Sequence, residues 1–123
     1  YQPDAKTVEE LPAPHQASIA RGKEQYGQTC AACHQLDGKG LAGLAPPFED
    51  SEWLEKPTSE LAQIAIEGLS GKISVKGQDW NLAMPGWPHL KDQEIADILN
   101  YILSQWSSKA RLVKSEQIAA QRK

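Results

Sequence analysis

The stretch KEQYGQTCAACHQLDGKG, residues 23–40, holds the chain's two cysteines, Cys30 and Cys33, with His34 directly after the second. A disulfide at this C-x-x-C spacing closes almost no loop and therefore constrains the unfolded chain little. A thioredoxin-like dithiol belongs at a strand-to-helix junction in a βαβ pattern, whereas here a helical pattern runs straight into the motif. A structural zinc site needs four ligands, and neither His15 nor His89 has finger-like spacing from the cluster. One reading uses all three side chains: C-x-x-C-H is the attachment sequence of a c-type haem. Two sulfurs three residues apart on a helical turn face one side and match vinyl groups on adjacent porphyrin edges. The next side chain, His34, then projects over the macrocycle centre, where its imidazole can bind iron.

A single such motif calls for one axial partner on the opposite haem face. The chain has one methionine, Met84, in the proline-held segment AMPGWP about fifty residues beyond His34. A loop methionine beside Pro85 is poorly placed for helix packing and well placed to point at a fixed object. His89 and His15 are the runners-up. A His34/Met84 pair fills both axial positions and raises the reduction potential relative to two histidines. It leaves no open site for oxygen or peroxide, which points to electron transfer rather than catalysis.

The bulk properties agree with a small domain built around a filler. At 123 residues, 40% hydrophobic and 24% charged, the chain suits one core. One phenylalanine, three tyrosines and four tryptophans leave that core largely aliphatic unless a planar group adds apolar volume. A formal charge of -3 argues against a nucleic-acid partner. No apolar run approaches the roughly 20 residues that span a bilayer. The chain opens on Tyr1 without a signal-like segment, which predicts a mature or trimmed product whose targeting is read from its chemistry.

Around the motif the pattern predicts three helices. The first covers about Ala17–Gln28, with Ile19, Gly22 and Tyr26 on one face. The second covers about Ser59–Glu67, with Leu61, Ile64 and Ala65 inward and Gly68 as its stop. The third, Asp92–Trp106, carries the stripe Ile95, Leu99, Ile102, Trp106, widened by Ile98 and Leu103. Residues 1–16 read as an extended N-terminal arm, 17–106 as the domain and 107–123 as a polar C-terminal tail with at most a weak helical turn. A short β-hairpin near 73–81 is expected, although Lys76 is a poor residue for a turn position needing positive φ. The proline-interrupted loop over residues 41–57 is long for a compact domain and suggests wrapping.

In this order the elements resemble the class I c-type cytochromes over residues 17–106. The resemblance implies an all-α fold in which the first and last helices cross beside one covalently bound haem c. It places Gly22 and Tyr26 against Leu99, Tyr101 and Ile102. It also implies that the carbonyl of Pro46, or of Pro47, accepts a hydrogen bond from His34 and fixes its ring. The segment GLSGKISVKGQDWNLAMPGW, residues 68–87, and the tail after Trp106 are similar to monohaem cytochromes and cytochrome domains that serve periplasmic dehydrogenases, notably quinoprotein ones. This chain has Trp80 where that subgroup has tyrosine and Lys76 where asparagine is common.

The resemblance implies that Trp80 or Asn81 donates to a haem propionate, that Trp53 and Trp87 pack the haem pocket or rim, and that Tyr26 adjoins the pocket. It further implies a periplasmic, monomeric or weakly dimeric electron carrier between a dehydrogenase and an oxidase or reductase, with Lys39, Lys72 and Lys76 near the docking rim. The alternatives are a haem subunit or domain of a larger oxidoreductase and a haem gas sensor or peroxidase.

Overall fold

The structure is a computed structural model that describes residues 11–30, 34–35, 38–40, 47–48, 51–107 and 111–122, with the backbone alone at Leu82. Its helices are α1 (Ala13–Gln28), α2 (Thr58–Glu67), α3 (Asp92–Trp106) and α4 (Ser115–Ala119), and a two-stranded sheet joins β1 (Leu69–Val75) to β2 (Gln78–Met84). The all-α expectation with one hairpin holds, and α3 has the bounds read from its stripe.

Helix α1 starts earlier than its apolar pattern indicated. Pro12 caps it, Pro14 lies in its first turn, and the Gln16 N–H donates to the Pro12 carbonyl at 3.0 Å. Proline is tolerated there because first-turn amides have no intrahelical acceptor. Residues 13–16 are thus helical rather than an extended arm, and His15 is buried. Residues 1–10 of the expected arm lie outside the described residues.

α1 and α3 cross at Gly22. A Cβ built there would overlap the Asp97 carbonyl oxygen and stand 3.0 Å from the Tyr101 Cβ. That close approach explains why a glycine, costly in a helix interior by about 1 kcal/mol, occupies the position. A polar network centred on the buried Asp97 and Ser18 flanks the crossing. Asp97 accepts from Ser18 Oγ at 2.5 Å, from Arg21 Nε and Nη2 at 2.9 and 3.1 Å, and from Gln93 Nε2 at 2.8 Å. The Arg21 guanidinium is held above its ordinary value chiefly by that hydrogen bond. The α3 N-terminus is closed by Glu94 Oε1, which accepts the Lys91 N–H at 2.8 Å.

The opposite face of α3 supplies the main core. Ile95, Ile98, Leu99, Ile102 and Leu103 are all buried, together with Leu61, Ala62 and Ile66 of α2. Each of the leucines and isoleucines contributes about 1.5–3 kcal/mol when withdrawn from water.

The tail is no loose polar extension. Asn100, buried in α3, receives the Val113 N–H on Oδ1 at 2.7 Å and donates Nδ2 to the Val113 carbonyl at 2.9 Å. Arg111 Nη2 donates to the carbonyls of Leu54 and Lys56 at 3.1 and 2.7 Å. Val113 and Ile118 are buried in the main core. Val113 and Ile118 lie five residues apart in a polar segment, and the neighbouring Leu112 faces outward, so no helical or strand period marked this packing.

The hairpin is longer than 73–81 and turns at Lys76-Gly77, with φ of 54° and 78°. A two-residue turn with both central residues at positive φ matches the right-handed twist of the strands. Lys76 tolerates the position because its N–H is held by the Glu52 carboxylate at 2.8 and 3.1 Å. The same bond keeps the Glu52 carboxyl below the usual carboxylate range. An isolated two-stranded hairpin is marginal in water. Here Trp53 steadies it, donating Nε1 to the Ser74 carbonyl at 2.8 Å.

Candidate haem site

α1 delivers the motif. Its last turn continues past Gln28 through Cys30 N–H to the Tyr26 carbonyl at 3.0 Å and His34 N–H to the Cys30 carbonyl at 2.9 Å. Cys30 and His34 therefore stand one helical turn apart. The chain then reverses at Gln35, whose φ is 67°. Tyr26 Oη donates to the Gln35 carbonyl at 2.5 Å, tying the reversal to α1. The His34 ring is buried and stacks on Phe48 with centroids 4.1 Å apart.

Met84 arrives from the other side at the end of β2, where it pairs with Leu69. Its segment is seated on the C-terminus of α2 by backbone contact. Gly68 has φ of 82°, and a Cβ on Gly86 would lie 2.5 Å from the Glu67 carbonyl carbon and 2.6 Å from the Gly68 nitrogen. The Trp87 N–H closes the seat by donating to the Ala65 carbonyl at 2.8 Å.

Between these two deliveries lies a cavity of about 170 Å³. Cys30, His34 and Met84 all line it, with Pro47, Phe48, Trp53 and Trp87. Ile73 and Val75 of β1 and the inner α3 residues Ile95, Ile98, Leu99, Ile102 and Leu103 complete an apolar wall. Among the described wall residues there is no carboxylate, lysine or arginine. A large, mostly apolar group joined covalently to a cysteine sulfur and held by an imidazole and a methionine thioether fits this lining.

The other expected site residues are placed differently. Tyr26 is fully buried but off the cavity wall, packed among Phe48, Tyr101 and Trp106 at centroid distances of 6.2, 5.4 and 5.5 Å. Its position follows from the α1–α3 crossing, which faces it toward α3. Asn81 is exposed on the outer face of the hairpin, opposite Lys72. Trp80 points to the inner face with Val75, Ile73 and Trp53 but does not reach the described wall. Its indole N–H is buried and has no hydrogen-bond partner among the described residues. Cys33 and Pro46 lie outside the described residues, whereas Pro47 is on the wall. Phe48 was not singled out from the sequence. The available signal was its being the sole phenylalanine, directly after two prolines.

A C-x-x-C-H motif whose Cys30 and His34 share one apolar cavity beside α3 with the Met84 thioether is the arrangement of a haem protein of the c type. The cytochrome c family model matches residues 19–106, and the chain belongs to that family. Its cofactor is accordingly covalently attached haem c. Cytochrome c-552 of Thermus thermophilus is 40% identical over 77% of this chain and 74% of its own length. The cytochrome c subunit of a quinone alcohol dehydrogenase from Gluconacetobacter polyoxogenes is 34% identical over 89% of this chain, which spans 24% of that subunit. The cbb3-type cytochrome c oxidase subunit FixP of Bradyrhizobium diazoefficiens is 33% identical, with 79% of this chain and 33% of the relative aligned. No helix among the described residues is long and apolar enough to cross a membrane.

Proposed function

We propose that this protein is a periplasmic monohaem electron carrier with no catalytic centre of its own, cycling one electron at a haem ligated by His34 and Met84. The observation that carries the reading is that these two side chains, from α1's end and β2's end, line one apolar cavity together with Cys30. Cys30 and Cys33 anchor the porphyrin as thioethers. The haem supplies a ferric/ferrous couple; everything else is done by the chain. His34 and Met84 would both hold the iron, so a small molecule would reach it only by displacing one of them. The family resemblance gives the orienting of the His34 imidazole to a carbonyl of the Pro46-Pro47 pair. The aliphatic face of α3 excludes water and lowers the local dielectric, which favours the less charged state of the site. Trp53 and Trp87 close the rim. Trp80, whose buried N–H has no partner among the described residues, would be the donor to a haem carboxylate.

Partners are redox proteins met transiently, a dehydrogenase as donor and an oxidase or reductase as acceptor, through small interfaces below about 1,200 Å². A second reading has specific support. Relatives named as subunits of a quinone alcohol dehydrogenase and a cbb3-type oxidase align with the chain over only 24% and 33% of their lengths, as a haem-bearing portion of a larger complex would.

Voltammetry of the holoprotein tests the first reading and should give one reversible one-electron wave, with the reduced protein slow and weak in binding carbon monoxide. Rapid, tight carbon monoxide binding would overturn it in favour of a sensor. Stoichiometric co-purification with a dehydrogenase or oxidase from the native membrane or periplasm would favour the subunit reading.

A further inference from the structure

The segment between Met84 and α3 is gripped from a distant part of the chain. Arg122, just beyond α4, places Nη1 2.8 Å from the Pro88 carbonyl and Nη2 2.5 Å from the Leu90 carbonyl. Its Nε lies 2.6 Å from Asp92 Oδ1. One planar guanidinium thus holds two backbone carbonyls and a carboxylate, an arrangement its fixed fork allows and a lysine cannot reproduce. The grip completes a frame around the methionine segment. Toward α2 it is seated by Gly68, Gly86 and the Trp87 amide, and toward α3 it is held by Arg122. Ile118, fully buried, anchors α4 and so fixes where Arg122 begins its reach.

We propose that Arg122 is a positioning residue for Met84, holding residues 85–91 so that the thioether stays directed into the cavity and resists displacement by competing ligands. The inference rests on the proposed axial role of Met84. Freed of Arg122, the segment keeps its α2 seat but loses its hold at Pro88 and Leu90. The open, Met84-dissociated state then becomes easier to reach, and an incoming ligand binds in proportion to its population.

The test is imidazole titration of the ferric holoprotein, followed by loss of the near-red sulfur-to-iron absorption band. Arg122→Ala should tighten apparent imidazole binding about tenfold, the effect expected when charge-assisted hydrogen bonds on a partly exposed guanidinium are removed. Arg122→Lys, which can pair with Asp92 but cannot span both carbonyls, should fall between. Gln121→Ala is the control. It removes only the bond from Gln63 Nε2, 3.0 Å long, that ties the end of the tail beside Arg122 to α2 without touching residues 85–91, and it should leave imidazole affinity unchanged. The proposal is overturned if Arg122→Ala binds imidazole like the unmutated protein, or if Gln121→Ala shifts affinity as far. Absence of the near-red band from the unmutated protein is a separate result, which removes the Met84 ligation and this inference with it.

Discussion

Replacing Gly22 with alanine sets two effects of opposite sign against each other. Helix propensity alone favours the substitution by about 1 kcal/mol, because alanine loses less backbone entropy. The crossing opposes it: the added methyl would overlap the Asp97 carbonyl oxygen and stand 2.5 Å from the Asp97 carbonyl carbon. The obstacle is backbone, which cannot rotate aside as a side-chain end can. Relief requires α1 and α3 to separate, loosening the hydrogen bonds that Ser18 and Arg21 give to Asp97 and widening the cavity wall. Overpacking costs about 1–3 kcal/mol, and each weakened buried hydrogen bond adds about 1 kcal/mol.

A net loss of about 2 kcal/mol is expected for Gly22→Ala, lowering Tm by roughly 8 °C for a domain of this size. The assay is guanidinium unfolding of the ferric holoprotein, with a lowered midpoint and an unchanged m value. Gly27→Ala on the same helix is the internal reference, since a Cβ there meets nothing within 4 Å. It should hold or raise stability. Should Gly22→Ala prove as stable as Gly27→Ala, the close crossing would be refuted.

Three further outcomes follow from the packing. Asn100→Ala leaves the buried Val113 N–H and carbonyl without their partner, so it should cost about 2–3 kcal/mol and speed proteolysis within residues 107–123 in limited-digestion assays. Burial holds His15 below its ordinary value of 6.5, so the unfolded chain takes up its proton first. Its stabilising contribution is complete above that value and is lost as pH falls, which unfolding curves between pH 7.5 and 5 should show and His15→Gln should flatten. Lys76→Asn relieves a left-handed residue while keeping the N–H that Glu52 accepts, and should raise stability by about 0.5–1 kcal/mol in thermal melts.

Much of this arrangement was legible because it is written in local patterns. The α3 stripe, the turn glycine, the C-x-x-C-H spacing and the lone methionine are each readable from neighbours in sequence. Other features were hidden for stated reasons. Pro12 and Pro14 look like helix breakers until the helix is seen to begin on them. Asp97 and Asn100 read as outward polar residues, since nothing in a single helix reveals that Ser18, Arg21 and Val113 will meet them. The tail's docking depends on Arg111 and Arg122, whose partners are backbone carbonyls 55 and 57 residues away in one case and 32 and 34 in the other. Trp80 and Asn81 were named as alternative propionate donors by resemblance; strand alternation from Ile73 and Val75, paired with Trp80 and Gln78, separates them, sending Trp80 inward and Asn81 outward.

The central claim is that Met84 and His34, brought to one cavity by different elements, share one iron. Visible and near-red spectroscopy of the ferric holoprotein tests it most directly. A low-spin spectrum carrying the weak sulfur-to-iron band is predicted for the unmutated chain, with that band abolished in Met84→Ala and retained in His89→Ala. A band missing from the unmutated protein, or one surviving in Met84→Ala, would contradict it.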